Sequence, residues 1–248
     1  MTDNRTVEKY SKLIEKHTIP QTILLHLLPG IPVLLVAILF SSPAGGFGLP
    51  FVLSLFIAIA AGLIPCEALL LFIAAKRRGA KIREMLCYTE KMPPLQTFGW
   101  VFSLLSINGF AFATIPQLER PLWAVFSRVP DWALIDIEAV KARPELIWPS
   151  LILGFLLNGF LGPALEEIYF RGYLLPRMGR FGKFAPLANT VLFSLYHLFS
   201  PWEFFTRVAA VLPYAYAVWY KKDLRLGILA HCLGNVLGLI GTAAALLS

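Results

Sequence analysis

Runs of about twenty apolar residues recur along this chain, and that is the length an α-helix needs to cross the hydrocarbon core of a bilayer. They fall at roughly 21–41, 49–75, 96–116 and 146–168, and three less clean runs follow near 184–200, 204–220 and 225–247. The expected fold is all-α, a polytopic transmembrane bundle of about seven to eight membrane helices. Residues 1–248 are read as a single integral membrane domain. Charged residues make up 15% of the chain, against about a quarter in a soluble domain, which agrees with that reading. The net charge of +7 could point to nucleic acid. The basic residues instead sit in short loops between the apolar runs, so no nucleic-acid partner is expected and the bilayer is.

Those loops set an orientation. Lys76, Arg77, Arg78, Lys81, Arg83 and Lys91 follow the second run; Arg171, Arg177, Arg180 and Lys183 follow the fourth; Lys221, Lys222 and Arg225 separate the sixth and seventh. The loop from Ser41 to Gly48 has no basic residue, and the 117–145 loop balances its bases with Glu119, Asp131, Asp136, Glu138 and Glu145. The positive-inside rule therefore places the N-terminus and the basic loops in the cytoplasm. Trp100, Trp148, Trp202 and Trp219 lie near span ends, where indoles favour the interface. The 117–145 loop carries Trp123, Phe126, Trp132 and Ile135 among its charges, which suits a short amphipathic helix on the membrane surface. The first run follows a polar segment without a small-residue cleavage site, so it reads as a retained span. Cys66, Cys87 and Cys232 are scattered without ligand spacing, which argues against a disulfide framework or a Cys-based zinc site.

A few polar residues stand out against this background. Glu166 and Glu167 are adjacent at the end of the fourth run. Glu167 precedes Arg171 by four residues, the favourable order for an ion pair on a helix, while Glu166 points about 100° away. Glu166 can then face a cavity and exchange a proton with water. Taken alone, the pair reads equally well as an ion-paired helix end at the interface. Phe193 and His197 share a helix face, with Asn189 one turn earlier, so Asn189 or Tyr196 could hold the imidazole. His231 and Asn235 also share a face; an amide donor there suits a developing oxyanion, and the alternative is hydrogen-bond glue between helices. Gly234, Gly238 and Gly241 form a small-residue stripe that permits close helix approach. Gly154, Gly159, Gly162, Asn158 and Pro163 suggest a kink and close packing just before the Glu pair. Glu67 lies inside the second run as a carboxylate that could pair with a neighbouring helix. His17 and His26 have no partner at a useful spacing. HExxH is absent, as is a recognisable serine-nucleophile setting.

The three blocks Glu166-Glu167-xxx-Arg171, Phe193-xxx-His197 and His231-xxx-Asn235, in that order on separate spans, resemble the CPBP family. These are the CAAX protease and bacteriocin-processing membrane proteins, Rce1-type and Abi-like members included, whose pattern is EExxxR, FxxxH and HxxxN (or HxxxB). The resemblance covers about residues 150–240 and no motif position departs from it. It implies an intramembrane endopeptidase in which Glu166 activates water with help from His197, while His231 and Asn235 stabilise the oxyanion. Glu167, Arg171 and Phe193 are the supporting residues. The chemistry is either glutamate alone or metal-assisted; Glu166, His197 and His231 could make a mixed O/N site for a divalent ion such as zinc. The implied substrate is a membrane-embedded or lipid-modified polypeptide, and the implied location a bacterial inner membrane. Two rivals stand beside the enzyme: a non-catalytic scaffold or bacteriocin self-immunity protein that keeps the fold, and a small transporter, disfavoured by the lack of an inverted repeat.

One point of geometry strains this reading. On straight spans Glu166 and His231 lie near the cytoplasmic ends, whereas His197 is about 20 Å away at the far end of the fifth. For a shared site either the fourth helix continues past Glu167 or the fifth starts later or runs obliquely. The expectation is convergence of Glu166, His197, His231 and Asn235 on one cavity, opening toward the cytoplasm or through a lateral gap.

Overall fold

A computed structural model describes residues 14–248, the side chains of Leu118, Arg120, Leu122 and Trp123 excepted. The polar start of the chain, on which the N-terminal orientation bears, and the Trp123 side chain lie outside the described residues. Helices dominate, with no strand among the described residues; Thr89 and Asp223 form an isolated bridge. Five helices are long and apolar enough to cross a membrane: α1 (Ile19–Ser41), α2 (Phe51–Arg77), α3 (Pro94–Thr114), α5 (Pro144–Arg177) and α8 (Leu224–Leu247). Between them lie α4 (Pro116–Val125), α6 (Ala185–Tyr196) and α7 (Phe204–Lys221). The expected count of seven to eight spans is thus met by five on length and apolarity. With 12 residues, α6 reaches about 18 Å, short of the hydrocarbon thickness of about 30 Å. In α7, Thr206, Arg207, Tyr214 and Tyr216 dilute the apolar residues. The chain is an integral membrane protein.

Local chemistry sets the ends and bends. Thr18 and Gln21 form a capping box at the start of α1: the Thr18 amide donates to Gln21 Oε1 at 2.9 Å, and the Gln21 amide to Thr18 Oγ1 at 3.3 Å. Such a box satisfies backbone donors that a helix start leaves unpaired. Asp223 caps α8 by accepting from the Arg225 amide at 3.1 Å, and it also accepts from the Met92 amide at 3.0 Å, which joins the starts of α8 and α3. Burial alone would raise the Asp223 carboxyl; the Arg225 side chain and these two amides outweigh it and hold the group below its ordinary range. The loop after α3 is helical over α4, as the aromatic residues among its charges suggested. α4 is tied inward by the buried Glu119, which accepts from the Thr206 amide at 2.9 Å and from the Thr206 hydroxyl at the start of α7.

The core is a meeting of α5 and α6 with α1, α7 and α8. Asn189 does not reach His197. Its Nδ2 donates to the Phe170 carbonyl at 3.0 Å and lies 2.9 Å from His26 Nε2, while His26 Nδ1 lies 2.7 Å from the Thr22 carbonyl. His26, which had no partner at a useful sequence spacing, is therefore fully buried as the α1 side of a polar link across to α6. His17 packs its ring edge-on to Tyr173 at 5.9 Å.

α1 and α6 cross with backbone in contact. A Cβ on Gly30 would stand 2.0 Å from the Tyr196 carbonyl oxygen, with Leu198 also close. A backbone obstacle cannot rotate away, so Gly30→Ala is expected to cost about 1–3 kcal/mol by overpacking. Chemical denaturation of the detergent-purified protein measures this; an unchanged midpoint would show that the crossing can yield to a methyl group. The stripe of Gly234, Gly238 and Gly241 behaves otherwise: nothing lies within 4 Å of a Cβ on Gly238 or Gly241, so it does not draw a helix close. Close packing occurs at Gly154 and Gly159, where a Cβ would meet Phe56, Leu239 and Val236 at 3.0–3.2 Å.

Candidate active site

Helix α5 carries the Glu pair, and its irregular backbone decides where the pair sits. Two stretches, Gly154–Leu161 and Glu167–Leu174, have widened i→i+5 turns, with the ordinary helix Gly162–Glu166 between them. Such turns recur at functional sites because they leave carbonyls unpaired and re-aim side chains. Pro163 has no N–H to offer the Asn158 carbonyl five residues back. Asn235 Nδ2 donates to that carbonyl at 2.8 Å, which ties α8 to α5 beside the motif.

The depth conflict is resolved by helix lengths. α5 does not stop at Glu167 but runs to Arg177, about 15 Å further at 1.5 Å per residue. That puts the Glu pair well inside the bundle instead of at its edge. α6 ends at Tyr196, and His197 follows as its C-cap with φ −73° and ψ 60°. The fifth apolar run thus ends three to four residues earlier than 184–200, and His197 stops at mid-depth.

There Glu166, His197, His231 and Asn235 line one cavity of about 670 Å³. Glu166 Oε2 is 3.9 Å from His231 Nε2. Glu166 Oε1 accepts a hydrogen bond from the Tyr196 hydroxyl, so Tyr196 holds the glutamate and not His197. His197 is held by its own helix, with Nδ1 2.9 Å from the Phe193 carbonyl and the Phe193 ring edge-on at 5.0 Å. Glu167 is fully buried, outside the cavity wall. Its Oε1 lies 3.2 Å from Arg171 Nη1 and 3.1 Å from His231 Nδ1. The Arg171 guanidinium sits 4.1 Å over the Phe193 ring, where the π face attracts the cation. Phe193 therefore touches the arginine and both histidines, the last at 6.0 Å between its ring and that of His231.

Glu167 and His231 bear on each other's chemistry. With Nδ1–H directed at the Glu167 carboxylate, His231 presents Nε2 to Glu166 and the cavity. The neighbouring carboxylate fixes the orientation of the ring. A metal fits less well. Among the described residues no three His, Cys, Asp or Glu side chains gather as ion ligands, and Glu166, His197 and His231 line the wall without converging on one point. Glu67 is buried outside the cavity wall; neither carboxylate oxygen makes a hydrogen bond, so it does not pair across to a neighbouring helix.

The cavity reaches toward Val52, Phe112, Ile135, Glu203 and Thr242. These stand at the helix ends beside the 42–50 and 117–145 loops, opposite the basic loops. The physical reason is the α8 sequence: Gly234 and Gly238 leave volume on that side of His231. Sequence reasoning also missed Asn108, Arg207 and Tyr214, which line the same wall. They belong to no motif, and a lone polar residue in a span shows its direction only once the neighbouring helices are placed.

Residues 148–237 match the model of the family described as Rce1-like, type II CAAX prenyl endopeptidase. The match takes in all three motif blocks. Through this segment the chain is similar to the CPBP, or CAAX protease, family, and the match supports assignment to it. No curated protein and no solved structure matches the chain. The CAAX protease family is one of membrane endopeptidases, and every motif residue of the Rce1-like segment lies at or directly behind the cavity wall.

Proposed function

We propose that the chain is an intramembrane endopeptidase that hydrolyses a peptide bond in a membrane-embedded or lipid-modified polypeptide, with Glu166 as the activator of water. The observation that carries this reading is the placement of Glu166 Oε2 3.9 Å from His231 Nε2 on the wall of a cavity deep in the bundle, inside the Rce1-like segment. A water between them reaches both groups. Glu166 takes its proton, the water oxygen bonds to the substrate carbonyl carbon, and an oxyanion forms. As the C–N bond breaks, Glu166 returns the proton to the departing amine, leaving a carboxylic acid and an amine. His231, held by Glu167, and Asn235, which retains an N–H beyond the one given to Asn158, face the oxyanion. His197 bounds the water site from α6. No step in this scheme passes through a metal; the rival scheme needs Glu166, His197 and His231 to close on a divalent ion such as zinc.

The protein is proposed to act as one integral membrane unit in a bacterial inner membrane, with seven membrane helices of which α6 is a partial crossing. The basic loops are cytoplasmic, so the cavity faces the other side and substrate enters from there or from the bilayer. His197→Ala and His231→Ala are each expected to lower cleavage of a quenched, farnesylated CAAX peptide by about 10²-fold or more, with wild-type accumulation in membranes. Full activity in both would remove the hydrolytic centre and favour a scaffold or self-immunity protein. A chelator series with metal add-back on the same preparation separates the two schemes.

A further inference from the structure

We propose that Tyr214 is a further substrate-contacting residue of this site: its phenol O–H, with the Asn108 side chain beside it, binds the carbonyl oxygen of the peptide bond being cleaved. The inference rests on the reading of the cavity as a peptidase site. Tyr214 is 1% exposed, its hydroxyl has no hydrogen-bond partner among the described residues, and it lines the cavity. A buried hydroxyl without a partner costs about 1–3 kcal/mol, and an acceptor on a ligand brought against it would offset that cost. The Tyr214 ring centroid lies 6.4 Å from that of His231, which places the phenol beside the imidazole that faces Glu166.

Gly234 shows how the patch is built. It sits on α8 between His231 and Asn235, and the Tyr214 hydroxyl and Asn108 Oδ1 each lie 3.5 Å from where its Cβ would be. Helices α3, α7 and α8 therefore bring an amide, a phenol and an imidazole around a spot that glycine keeps open. Asn235, the donor that the motif supplies, has already committed one N–H to Asn158. Tyr214 is the neutral donor left without an acceptor, and a neutral donor on a dry wall is what a developing oxyanion needs. Its hydroxyl transfers no proton in the reaction; it donates a hydrogen bond that strengthens as the carbonyl oxygen gains charge.

The test compares wild type, Tyr214→Phe, Asn108→Ala and Glu166→Gln as full-length, detergent-purified proteins with the quenched, farnesylated CAAX peptide as probe. Removing a donor that acts in the transition state should lower kcat for Tyr214→Phe by about 10-fold to 10²-fold, with KM changed by less than about threefold. Thermal stability should stay at or above wild type, because an unpaired buried hydroxyl has been removed. Asn108→Ala should give a smaller fall in kcat of the same kind. A Tyr214→Phe kcat within about twofold of wild type, while Glu166→Gln is inactive, overturns this inference and leaves the peptidase reading standing. A fall in kcat joined to a lower melting temperature assigns Tyr214 to packing and also overturns it. If wild type does not cleave the probe, or Glu166→Gln cleaves it equally well, the peptidase reading and this inference fall together.

Discussion

Glu166→Gln is expected to accumulate in membranes like wild type and to lose peptide cleavage by about 10²- to 10⁴-fold, the range for removing a general base. The substitution keeps the shape of the side chain. The Tyr196 hydroxyl that donates to Glu166 Oε1 can donate to the amide oxygen of glutamine, so the α5–α6 contact survives. What disappears is the capacity to take a proton from water. Because Glu166 lines the cavity and Glu167 lies behind it, the two acids should fail differently. Glu166→Gln should alter kcat with stability unchanged, whereas a change at Glu167 disturbs Arg171 and His231 together. Measuring kcat and the melting temperature of both variants separates these patterns. A Glu166→Gln protein that turns over peptide at the wild-type rate would end the case for a glutamate-activated water.

The membrane helices were largely legible because long apolar runs have few alternatives in lipid. The starts of α1, α2, α3, α5 and α8 fall within two residues of the apolar runs at 21, 49, 96, 146 and 225. The ends near the site were harder to read. A linear scan meets Glu166, Glu167 and Arg171 and takes the apolar run to be over, although these residues sit mid-helix, covered by α6 and α8. The opposite error occurs after Tyr196, where Leu198 and Phe199 look like continuing helix but the chain turns at His197 before Pro201. Those two misreadings together produced the apparent gap between His197 and Glu166.

The site shows the same division. Motif spacing on a single helix gave the Glu167–Arg171 pair, since an i,i+4 relation is local. It could not give Tyr196 to Glu166, His231 to Glu167 or Asn235 to Asn158, because each joins two helices. Asn189 lies two turns before His197 on its helix, too far to hold the imidazole, and it meets Phe170 and His26 instead. Tyr214 and Asn108 carried no local signal of any kind.

Arg171→Met is expected to destabilise the protein by about 3–5 kcal/mol, because it leaves Glu167 as a buried charge with its cation removed. Both side chains are fully buried and 3.2 Å apart. No Arg171 nitrogen makes a well-aligned hydrogen bond, so proximity of charge and the Phe193 face hold the guanidinium. Glu167 has little freedom to find another partner: a Cβ on Gly227 would lie 2.3 Å from its Oε2, so α8 hems the carboxylate in. The double variant Glu167→Gln/Arg171→Met removes both charges at nearly constant volume and should recover most of the lost stability, since a buried ion pair replaced as a unit is often neutral or better. The recovered protein should still cleave poorly. His231 Nδ1 would face an uncharged amide in place of the carboxylate now 3.1 Å away, and the ring would lose the acceptor that orients it. Melting curves for the two single variants and the double variant form a cycle that isolates the pair's coupling, while kcat on the same preparations follows His231. If the double variant regains both stability and full activity, Glu167 and Arg171 only fasten the helix. If it regains stability alone, the pair also orients the histidine.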